Sequence, residues 1–324
     1  MIINDRIYGI QEIKEPVLVE LIHSAPLTRL KKINQAGASQ YLFPWKNVTR
    51  YEHSIGVTLL LIKYQASLDE QIAGLLHDVP HTAFSHVADF VFENEHHEYH
   101  ELFHESIIEN SEIKDILKKY SISKMTAHPE NFRLLERNIP ELCADRIDYA
   151  LRDYFSWKKD RESIRAKLLG LTVYKGEFVF EDIYSADSFG RDYIELDERI
   201  WADPRETAIY EILAQAIRHA LDKKILTHKD FFTDDEKVIE ILKTYGDAFI
   251  HKKLSYLSPA FRIEEATPHH YHLAVKTKTR YVDPKVLINS KLIRLSEIST
   301  KYKKLLEKHL KNKNKKSYVF IYAH

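Results

Sequence analysis

The sequence contains little glycine and cysteine, and both shortages exclude classes of protein. Its 324 residues include eight glycines, about a third of what an average usage of roughly 7% would give. No pair of these glycines has the spacing of a dinucleotide-binding fingerprint, a phosphate-binding P-loop or a nucleophile elbow. The single cysteine, Cys143, can form neither an internal disulfide nor a cysteine-based zinc site.

Long apolar segments and an excess of charge of one sign are also missing. Apolar runs reach six residues, as at 57–62 with a threonine inside, which is far too short to span a membrane. The first residues lack the charged and apolar regions of a signal peptide. The 48 basic residues balance 48 acidic ones, which argues against a dedicated nucleic-acid or membrane-surface binder. We therefore predict a cytoplasmic protein without membrane or nucleic-acid partners.

Apolar periodicity predicts a mainly α fold with a smaller α+β part at the C-terminal end. Residues 1–225 form the predicted helical core. Strand-like segments accumulate after about residue 226, so 226–324 form the predicted α+β subdomain. Within the core, apolar residues at helical spacing or in short buried runs predict helices, around 57–62, 71–76, 88–92 and 141–154.

Strands and further helices are predicted from local signals. The segment LTVYKGEFVFE at 171–181 predicts two strands about a Lys175–Gly176 turn. Asp203 and Pro204 are typical of a helix start and predict a helix over 206–221. Later in the chain, the sequence predicts strands at 270–277 and 317–323 with a helix near 296–309.

Histidine and aspartate form the most informative pattern. Seven of the 18 histidines fall within 28 residues, at 77, 81, 86, 96, 97, 100 and 104. His77 and Asp78 follow an apolar segment, where an unpaired buried carboxylate would be costly. His53 lies at the start of another apolar helix, and Asp145 lies in LCADRIDYALRD. Two imidazoles and two carboxylates suit a divalent cation with open positions for water and substrate, but do not choose among Mn²⁺, Fe²⁺, Ni²⁺, Zn²⁺ and Mg²⁺.

A polar helix face is predicted after this set. Asp145, Asp148, Tyr149 and Arg152 are spaced so that they share one face of a helix. That face could line a cleft next to the metal, but an exposed face with ion pairs would show the same pattern.

The segment HDVPHTAFSHVADF adds candidate catalytic groups. His86 and Asp89 are three residues apart, so in a helix the carboxylate can orient the imidazole and raise its pKa. A general acid is prepared in this way near neutral pH. Pro80 disfavours a straight helix, and we expect a loop that directs His81 and His86 towards the cleft.

A second motif predicts an enzyme of another class, a zinc peptidase. His100-Glu101-Leu102-Phe103-His104 has the HExxH pattern of zinc peptidases, with Glu101 as the base. Charged neighbours at Glu98 and Glu105 and the lack of an evident third ligand disfavour this interpretation.

Taken in order, His53, His77-Asp78 and Asp145 give the H…HD…D pattern of the HD superfamily of metal-dependent phosphohydrolases. Five ordered segments resemble its deoxynucleoside triphosphate triphosphohydrolase branch, strongly over about residues 4–155, with the HD motif region at about 48–155. They are DRIYGIQEI, LTRLKKINQAGASQYLFP, RYEHSIGV, AGLLHDVPHTAFSH and CADRIDYALRD. The resemblance implies an HD-domain helical core and commonly a homo-oligomer, a dimer or tetramer.

The resemblance also implies roles for individual residues. It places the metal on His53, His77, Asp78 and Asp145, and matches His86 to a position that lines the phosphate path. Our hypothesis for the reaction is that His86, oriented by Asp89, donates a proton to the leaving 5′-oxygen. His81 and His100, with Glu101 beside it, match catalytic positions on the phosphate path. The implied substrate contacts are Arg50, Arg146 and Tyr149 for phosphates, Gln35 for the deoxyribose and Asp153 for its 3′-hydroxyl.

The sequence departs from the branch at three places, which leaves alternatives open. Pro80 and Ala83 replace a glycine and a proline of the branch motif. The later helix lacks a clear basic residue for the triphosphate, with Arg205 or Arg218 as possible substitutes. The predicted reaction is hydrolysis of a deoxynucleoside triphosphate to deoxynucleoside and tripolyphosphate. An HD phosphatase for nucleoside monophosphates or another small phosphoester, and a non-catalytic nucleotide sensor, are the alternatives.

Overall fold

α-Helices dominate the computed structural model, which describes residues 1–92, 99–311 and 316–322. The histidines at 96 and 97 counted above lie outside these ranges. The described helices are α1 (Pro16–Ile22), α2 (Ala25–Arg29), α3 (Arg50–Lys63), α4 (Leu68–Leu76), α5 (Val87–Val91), α6 (His104–Glu109), α7 (Glu112–Lys119), α8 (Ala144–Lys158), α9 (Arg161–Gly170), α10 (Ile183–Leu196), α11 (Pro204–Asp222), α12 (His228–Phe231), α13 (Asp235–Tyr245), α14 (Ala248–Leu254), α15 (Leu295–Ile298) and α16 (Thr300–Lys311).

Nine strands in the described residues form three small sheets. They are β1 (Ile2–Asp5), β2 (Gly9–Glu12), β3 (Leu171–Tyr174), β4 (Glu177–Phe180), β5 (Arg262–Glu265), β6 (Leu273–Lys276), β7 (Lys285–Ile288), β8 (Lys291–Arg294) and β9 (Lys316–Tyr322). β1 and β2 form an antiparallel hairpin. A four-stranded sheet has the order β3-β4-β7-β8, with β4 and β7 parallel, and an antiparallel three-stranded sheet has the order β5-β9-β6.

Helix α3 forms the centre of the core. It begins with a capping box, in which the Thr49 side chain accepts a hydrogen bond from the Glu52 N–H and the Glu52 carboxylate accepts one from the Thr49 N–H. Every residue from Ser54 to Leu61 is buried, so the helix packs on all sides rather than along one stripe. It packs against α4 and α8, the helices that bear the other predicted metal ligands.

The C-terminal part of the chain packs directly on this core. Helix α11 starts at Asp203 and Pro204 as predicted, and packs against α5 on one side and α14 on the other. The four-stranded sheet joins strands from 171–180 to strands from 285–294. Residues from both parts of the chain therefore surround the histidine-rich segment.

The predicted fold class, a mainly α HD-type core with a smaller α+β C-terminal part, is confirmed. The hairpin of β3 and β4 turns at Lys175 and Gly176, whose positive φ values of 51° and 71° suit a tight hairpin turn. The helix predicted near 296–309 is instead two helices, α15 and α16, which are separated by the extended Ser299. The β1–β2 hairpin, which lies in the predicted helical core, is a further difference. None of the described helices has the length and apolarity needed to cross a membrane.

Candidate active site

Three helices bring metal-binding atoms together at one point. His53 comes from α3, His77 follows the end of α4, and Asp145 lies in the first turn of α8. Their ligand atoms all lie within 4.8 Å of one another. His53 Nε2 lies 3.3 Å from His77 Nε2 and 2.9 Å from Asp145 Oδ1. We refer to these three residues as the His–His–Asp group.

Hydrogen bonds at Nδ1 fix the direction of both imidazoles. His53 Nδ1 lies 2.7 Å from Asp148 Oδ2, and His77 Nδ1 lies 2.7 Å from the Gly74 carbonyl oxygen. Carboxylate and carbonyl oxygens only accept hydrogen bonds, so each Nδ1 carries the proton. Each Nε2 then faces the group, where it would donate its lone pair to a metal ion once its proton is displaced, as in metal-binding histidines.

Asp148 belongs to a buried network behind the His–His–Asp group. Arg152 Nε donates to Asp148 Oδ2 over 2.7 Å, and Arg152 Nη2 donates to Asp5 Oδ2 over 2.8 Å. The Tyr8 hydroxyl donates to Asp148 Oδ1 over 2.9 Å. The network lies against α3 at Gly56, where a Cβ would be 1.9 Å from Arg152 Nη2 and 2.1 Å from Asp148 Oδ1. Only glycine leaves room for it.

Asp78 lies beside the His–His–Asp group and is held by Arg50. Arg50 Nη1 donates to Asp78 Oδ1 over 2.9 Å and to Oδ2 over 3.0 Å. Asp78 Oδ1 is 3.6 Å from His77 Nε2, and Oδ2 is 3.9 Å from His53 Nε2. The fourth predicted ligand thus borders the space between the two imidazoles, with its orientation set by a buried guanidinium.

The carboxylates make this point favourable for positive charge. Burial opposes a charge on His53, but Asp145, Asp148 and Asp78 outweigh it and raise the pKa of His53 to about 10. At His77 burial also acts to lower the pKa, but Asp78 and Asp145 outweigh this effect and raise it. Two oriented imidazoles and a carboxylate in a site that favours a cation fit a divalent metal ion.

A second possible donor set shares Asp145 with the first. It consists of Glu136, Cys143 and Asp145. Burial raises the pKa of the Cys143 thiol to about 12, which disfavours the thiolate that a metal requires. Its Sγ also accepts a hydrogen bond from Arg146 over 3.2 Å. The His–His–Asp group is therefore the better metal site.

His81, His86 and His100 form a cluster of rings next to Asp78. The His81 and His100 rings stack with centroids 3.8 Å apart, and the His86 ring lies 5.3 Å from His81 and 6.0 Å from His100. His81 Nε2 is 3.2 Å from Asp78 Oδ1, which connects the cluster to the metal site. Burial, with a contribution from Arg50, lowers the pKa of all three, that of His100 to about 3. Before substrate binds, these imidazoles are neutral at pH 7.

Asp89 contacts His86 in the manner expected of an orienting carboxylate. Asp89 Oδ2 lies 3.1 Å from His86 Nδ1, and Asp89 Oδ1 accepts from the Tyr99 N–H over 3.1 Å. Burial lowers the pKa of His86, and the Asp89 contact acts in the opposite direction. The pair leaves His86 Nε2 available to a substrate.

Helix α13 shapes the loop that precedes His86. Phe84 and Ser85 have φ values of 59° and 52°, a region that costs energy for residues other than glycine. The Phe84 N–H donates to Asp235 Oδ1 over 2.7 Å, and the Ala83 N–H donates to the Phe231 carbonyl over 2.9 Å. Asp235 from the C-terminal part thus stabilises the backbone of the loop that carries His81 and His86.

The face of α8 continues from Asp145 through Tyr149 to Asp153. These positions are four residues apart on one face, so the ends are separated by about 12 Å along the helix. The Tyr149 hydroxyl is hydrogen-bonded to that of Tyr193. Asp153 Oδ2 accepts from Trp201 Nε1 over 2.7 Å, and the Trp201 ring meets Tyr149 edge-on at 5.3 Å. Burial raises the pKa of Asp153.

Arg146 and Gln35, both predicted substrate contacts, differ in the hydrogen-bonding groups that they can offer to a ligand. Arg146 Nη1 donates to the Glu141 carbonyl over 2.6 Å, and Nη2 donates to the Arg137 carbonyl over 3.0 Å. Much of its guanidinium is therefore committed to the loop before α8. Gln35 Oε1 is buried and has no hydrogen-bond partner among the residues described, so it is free to accept from a bound ligand.

The HExxH segment does not form a peptidase helix. Its first four residues lie in a short 3-10 helix (Tyr99–Phe103), and α6 begins at His104. His104 Nε2 is directed to the Leu76 carbonyl oxygen 3.0 Å away, while His100 stacks on His81. The two histidines therefore face different neighbours. The side chain of Glu101, expected to act beside His100, lies outside the part that the structure describes.

Comparison with known proteins decides the family. The HD domain family matches residues 50–153. YdhJ of Bacillus subtilis is 39% identical over 99% of both chains. The metal-dependent phosphohydrolase cns2 of Cordyceps militaris is 34% identical over 76% of this chain and 78% of its own. The chain belongs to the HD superfamily of metal-dependent phosphohydrolases. The His–His–Asp group and Asp78 supply the four side chains that give this superfamily its H…HD…D pattern.

This HD phosphohydrolase is also similar to a deoxynucleoside triphosphate triphosphohydrolase and to a phosphohydrolase of known structure. The deoxynucleoside triphosphate triphosphohydrolase SAMHD1 of Bos taurus is 31% identical over 59% of this chain and 35% of its own length. The crystal structure of a phosphohydrolase from Bacteroides thetaiotaomicron superimposes with a TM-score of 0.74 over all of both chains, at 19% identity. The latter comparison shows that the fold extends over the whole chain, including its C-terminal part.

Several residues of the site had no role in the sequence-based prediction. Gly56 lies in an apolar helix, where a glycine is unusual enough to signal close packing. Asp235 and Trp201 gave no signal, because they act from segments distant in sequence. Lys46, which is buried and paired with Glu206, was missed for the same reason. Its charge acts on Asp153 and opposes the effect of burial on that carboxyl.

Proposed function

We propose that this HD phosphohydrolase cleaves deoxynucleoside triphosphates to deoxynucleosides and tripolyphosphate. The observation that carries the proposal is the face of α8, along which Tyr149 and Asp153 follow the metal-site residue Asp145. A phosphate chain near Asp145 and a sugar hydroxyl at Asp153 would contact one continuous surface. The five sequence segments shared with the triphosphohydrolase branch, and the 31% identity to bovine SAMHD1, support this substrate class.

The residues around the metal site have distinct roles in this reaction. The His–His–Asp group and Asp78 would hold a divalent cation, which would supply Lewis acidity and lower the pKa of water from 15.7 towards roughly 7. His86, oriented by Asp89, donates a proton to the leaving 5′-oxygen. The approach of a polyphosphate raises the pKa of His86, because nearby negative charge favours the imidazolium. His81 and His100 donate hydrogen bonds to the phosphoryl oxygens from a buried position, where such bonds are strong.

A phosphatase for nucleoside monophosphates is the second candidate, and the paired arginines favour it. Besides Arg146, Arg205 binds the Asp203 carboxylate over 2.6 Å, and Arg218 donates to the Phe90 carbonyl over 2.6 Å. These arginines, which the sequence offers as cations for a triphosphate, already have partners. A monophosphate requires fewer cationic contacts.

Product identification separates the candidates. The protein is incubated with the four deoxynucleoside triphosphates and Mn²⁺, and the products are resolved by anion-exchange chromatography. Deoxynucleoside and tripolyphosphate in equal amounts are expected. Intact triphosphates together with phosphate release from monophosphates would favour the second candidate, and no turnover of either would favour a nucleotide sensor. Asp78→Ala should abolish turnover, whereas Asp115→Asn, at an exposed position of α7, should not.

A further inference from the structure

Arg280 is a cation of the C-terminal part with no role in the site described so far. It lies between β6 and β7 and is only partly exposed. Among the described residues, its guanidinium forms neither an ion pair nor a hydrogen bond. Its Cζ lies 5.9 Å from the centroid of the Trp201 ring. A partly buried guanidinium with unused donors is well suited to bind an anion.

Trp201 connects Arg280 to the face of α8. The indole Nε1 donates to Asp153, and the ring edge meets Tyr149. Trp201 is the last residue of a π-helix (Asp197–Trp201) that continues α10. Trp201 therefore lies next to the guanidinium and also contacts the two residues proposed to contact the substrate.

The charge of Arg280 acts on groups from several elements around the site. Burial has the largest effect on the pKa of Tyr149, Asp153, His86 and Tyr210, and the Arg280 charge acts to lower the pKa of each. Tyr149 and Asp153 lie on α8, His86 just before α5, and Tyr210 on α11. Because Coulomb interactions weaken with distance, a charge that acts on all three elements lies near each of them, in agreement with its position against Trp201.

The backbone at Arg280 is fixed by neighbouring elements. His309 Nε2 lies 3.1 Å from the Arg280 carbonyl oxygen, and the same imidazole lies 3.2 Å from both Asp197 and Glu198 of the π-helix. Val282 lies two residues after Arg280, and its carbonyl accepts a hydrogen bond from the Tyr302 hydroxyl over 2.6 Å. The guanidinium is thus presented from an ordered segment, which lowers the entropic cost of binding an anion.

We propose that Arg280 binds the phosphates beyond the scissile one, so that the C-terminal part of the chain completes a site for a nucleoside polyphosphate. The identity of the nucleotide rests on the proposed function. Binding of the polyphosphate chain rests only on the charge of Arg280. It supplies the cationic contact that Arg146, Arg205 and Arg218, with their existing partners, do not offer.

Binding of inorganic tripolyphosphate tests the inference without turnover. Calorimetry is performed on protein loaded with Mn²⁺ and freed of excess metal, with orthophosphate as the comparison anion. Arg280→Gln should weaken tripolyphosphate binding at least about tenfold, since it removes charge-assisted hydrogen bonds, and should change orthophosphate binding by less than about twofold. Arg280→Lys, which keeps the charge but not the planar fork, should retain part of the affinity. Lys276→Gln, an exposed change on β6, should match the wild type.

Three results would overturn the inference. They are no binding of tripolyphosphate by the wild type, wild-type affinity in Arg280→Gln, and an equal loss for both anions. If Arg280→Gln does not fold, a partial loss of tripolyphosphate affinity with unchanged orthophosphate affinity in a folded Arg280→Lys supports the inference, and wild-type tripolyphosphate affinity or an equal loss for both anions there opposes it. Failure of the wild type to cleave deoxynucleoside triphosphates would instead count against the proposed function, because the binding comparison does not depend on turnover.

Discussion

His53 Nδ1 lies 2.7 Å from Asp148 Oδ2, and this hydrogen bond joins the metal site to a network that reaches the N-terminal hairpin. Asp148 also accepts hydrogen bonds from Arg152 and Tyr8, and Arg152 continues to Asp5 at the end of β1. The orientation of a metal-binding imidazole therefore depends on side chains from the hairpin, α3 and α8 together.

Replacement of Asp148 with asparagine should weaken metal binding. His53 would lose its charged acceptor and Arg152 its partner, and such outer partners are typically worth about 10–100-fold in metal affinity. The measurement is the metal content of the protein after equilibration with buffered Mn²⁺. Asp115→Asn is the matched control at an exposed position. Unchanged affinity in Asp148→Asn would contradict the role assigned to this network.

Replacement of Gly56 with alanine should affect both stability and metal binding. The added Cβ would overlap Arg152 and Asp148, and overpacking of this kind typically costs about 1–3 kcal/mol, occasionally more. Urea denaturation measures the free energy of unfolding. Gly190→Ala is the control, because its Cβ would overlap the Tyr302 ring, with the nearest atom at 2.6 Å, in a helix without metal-site residues. Both variants should lose stability, but only Gly56→Ala should lose metal affinity in its folded fraction. Equal metal affinity in the two would refute the argument.

Replacement of Asp89 with asparagine should change the pH dependence of turnover. Burial lowers the pKa of His86 and the Asp89 contact raises it, so removing the carboxylate lowers that pKa further. The alkaline fall in kcat should then move to lower pH. At pH 7 kcat should fall, within the roughly 10²–10⁴-fold that a general acid contributes. Asp222→Asn, an exposed change, should keep the wild-type profile, and an unshifted profile in Asp89→Asn would exclude His86 as the acid.

Replacement of His309 with glutamine should remove a pH-dependent part of the stability. Burial opposes its charge, but Asp197, the Arg280 carbonyl and Glu198 outweigh it and raise the pKa of His309 to about 9. The folded protein then binds this proton more tightly than the unfolded chain, whose histidines titrate near 6.5. The stabilisation is complete below about pH 6.5 and is lost as the pH rises through about 9, for a total on the order of 3 kcal/mol.

Urea midpoints at several pH values between 6 and 10 check this expectation. The difference in unfolding free energy between wild type and His309→Gln should shrink as the pH rises. His23→Gln, at an exposed position, should show no such trend. A difference that stays constant over this range would mean that folding does not raise the pKa of His309.

Features with local causes could be predicted from the sequence. The start of α11 follows from Asp203 and Pro204, and the β3–β4 turn follows from Lys175 and Gly176, because caps and tight turns involve only neighbouring residues. The β1–β2 hairpin was missed because its strands are short and largely polar or exposed, which removes the alternation that signals a strand.

Contacts between distant segments could not be predicted. Asp235 holds the Phe84 N–H across 151 positions of sequence, and Trp201 donates to Asp153 across 48. Neither residue belongs to a motif, and neither has a periodic spacing with its partner. Arg146 shows the opposite case. The resemblance matches it to a phosphate contact, but in the structure its guanidinium donates to two backbone carbonyls.

The sequence by itself determined the types of metal donors, their order along the chain and the helix face that Asp145 shares with Tyr149, because residue chemistry and helical period are local properties. Tertiary structure alone decided that His53, His77 and Asp145 meet within 4.8 Å, that Asp78 is held by Arg50, and that Arg280 is placed beside Trp201. Distances between helices are set by packing of the whole core, and pKa values by the burial and charges that this packing creates.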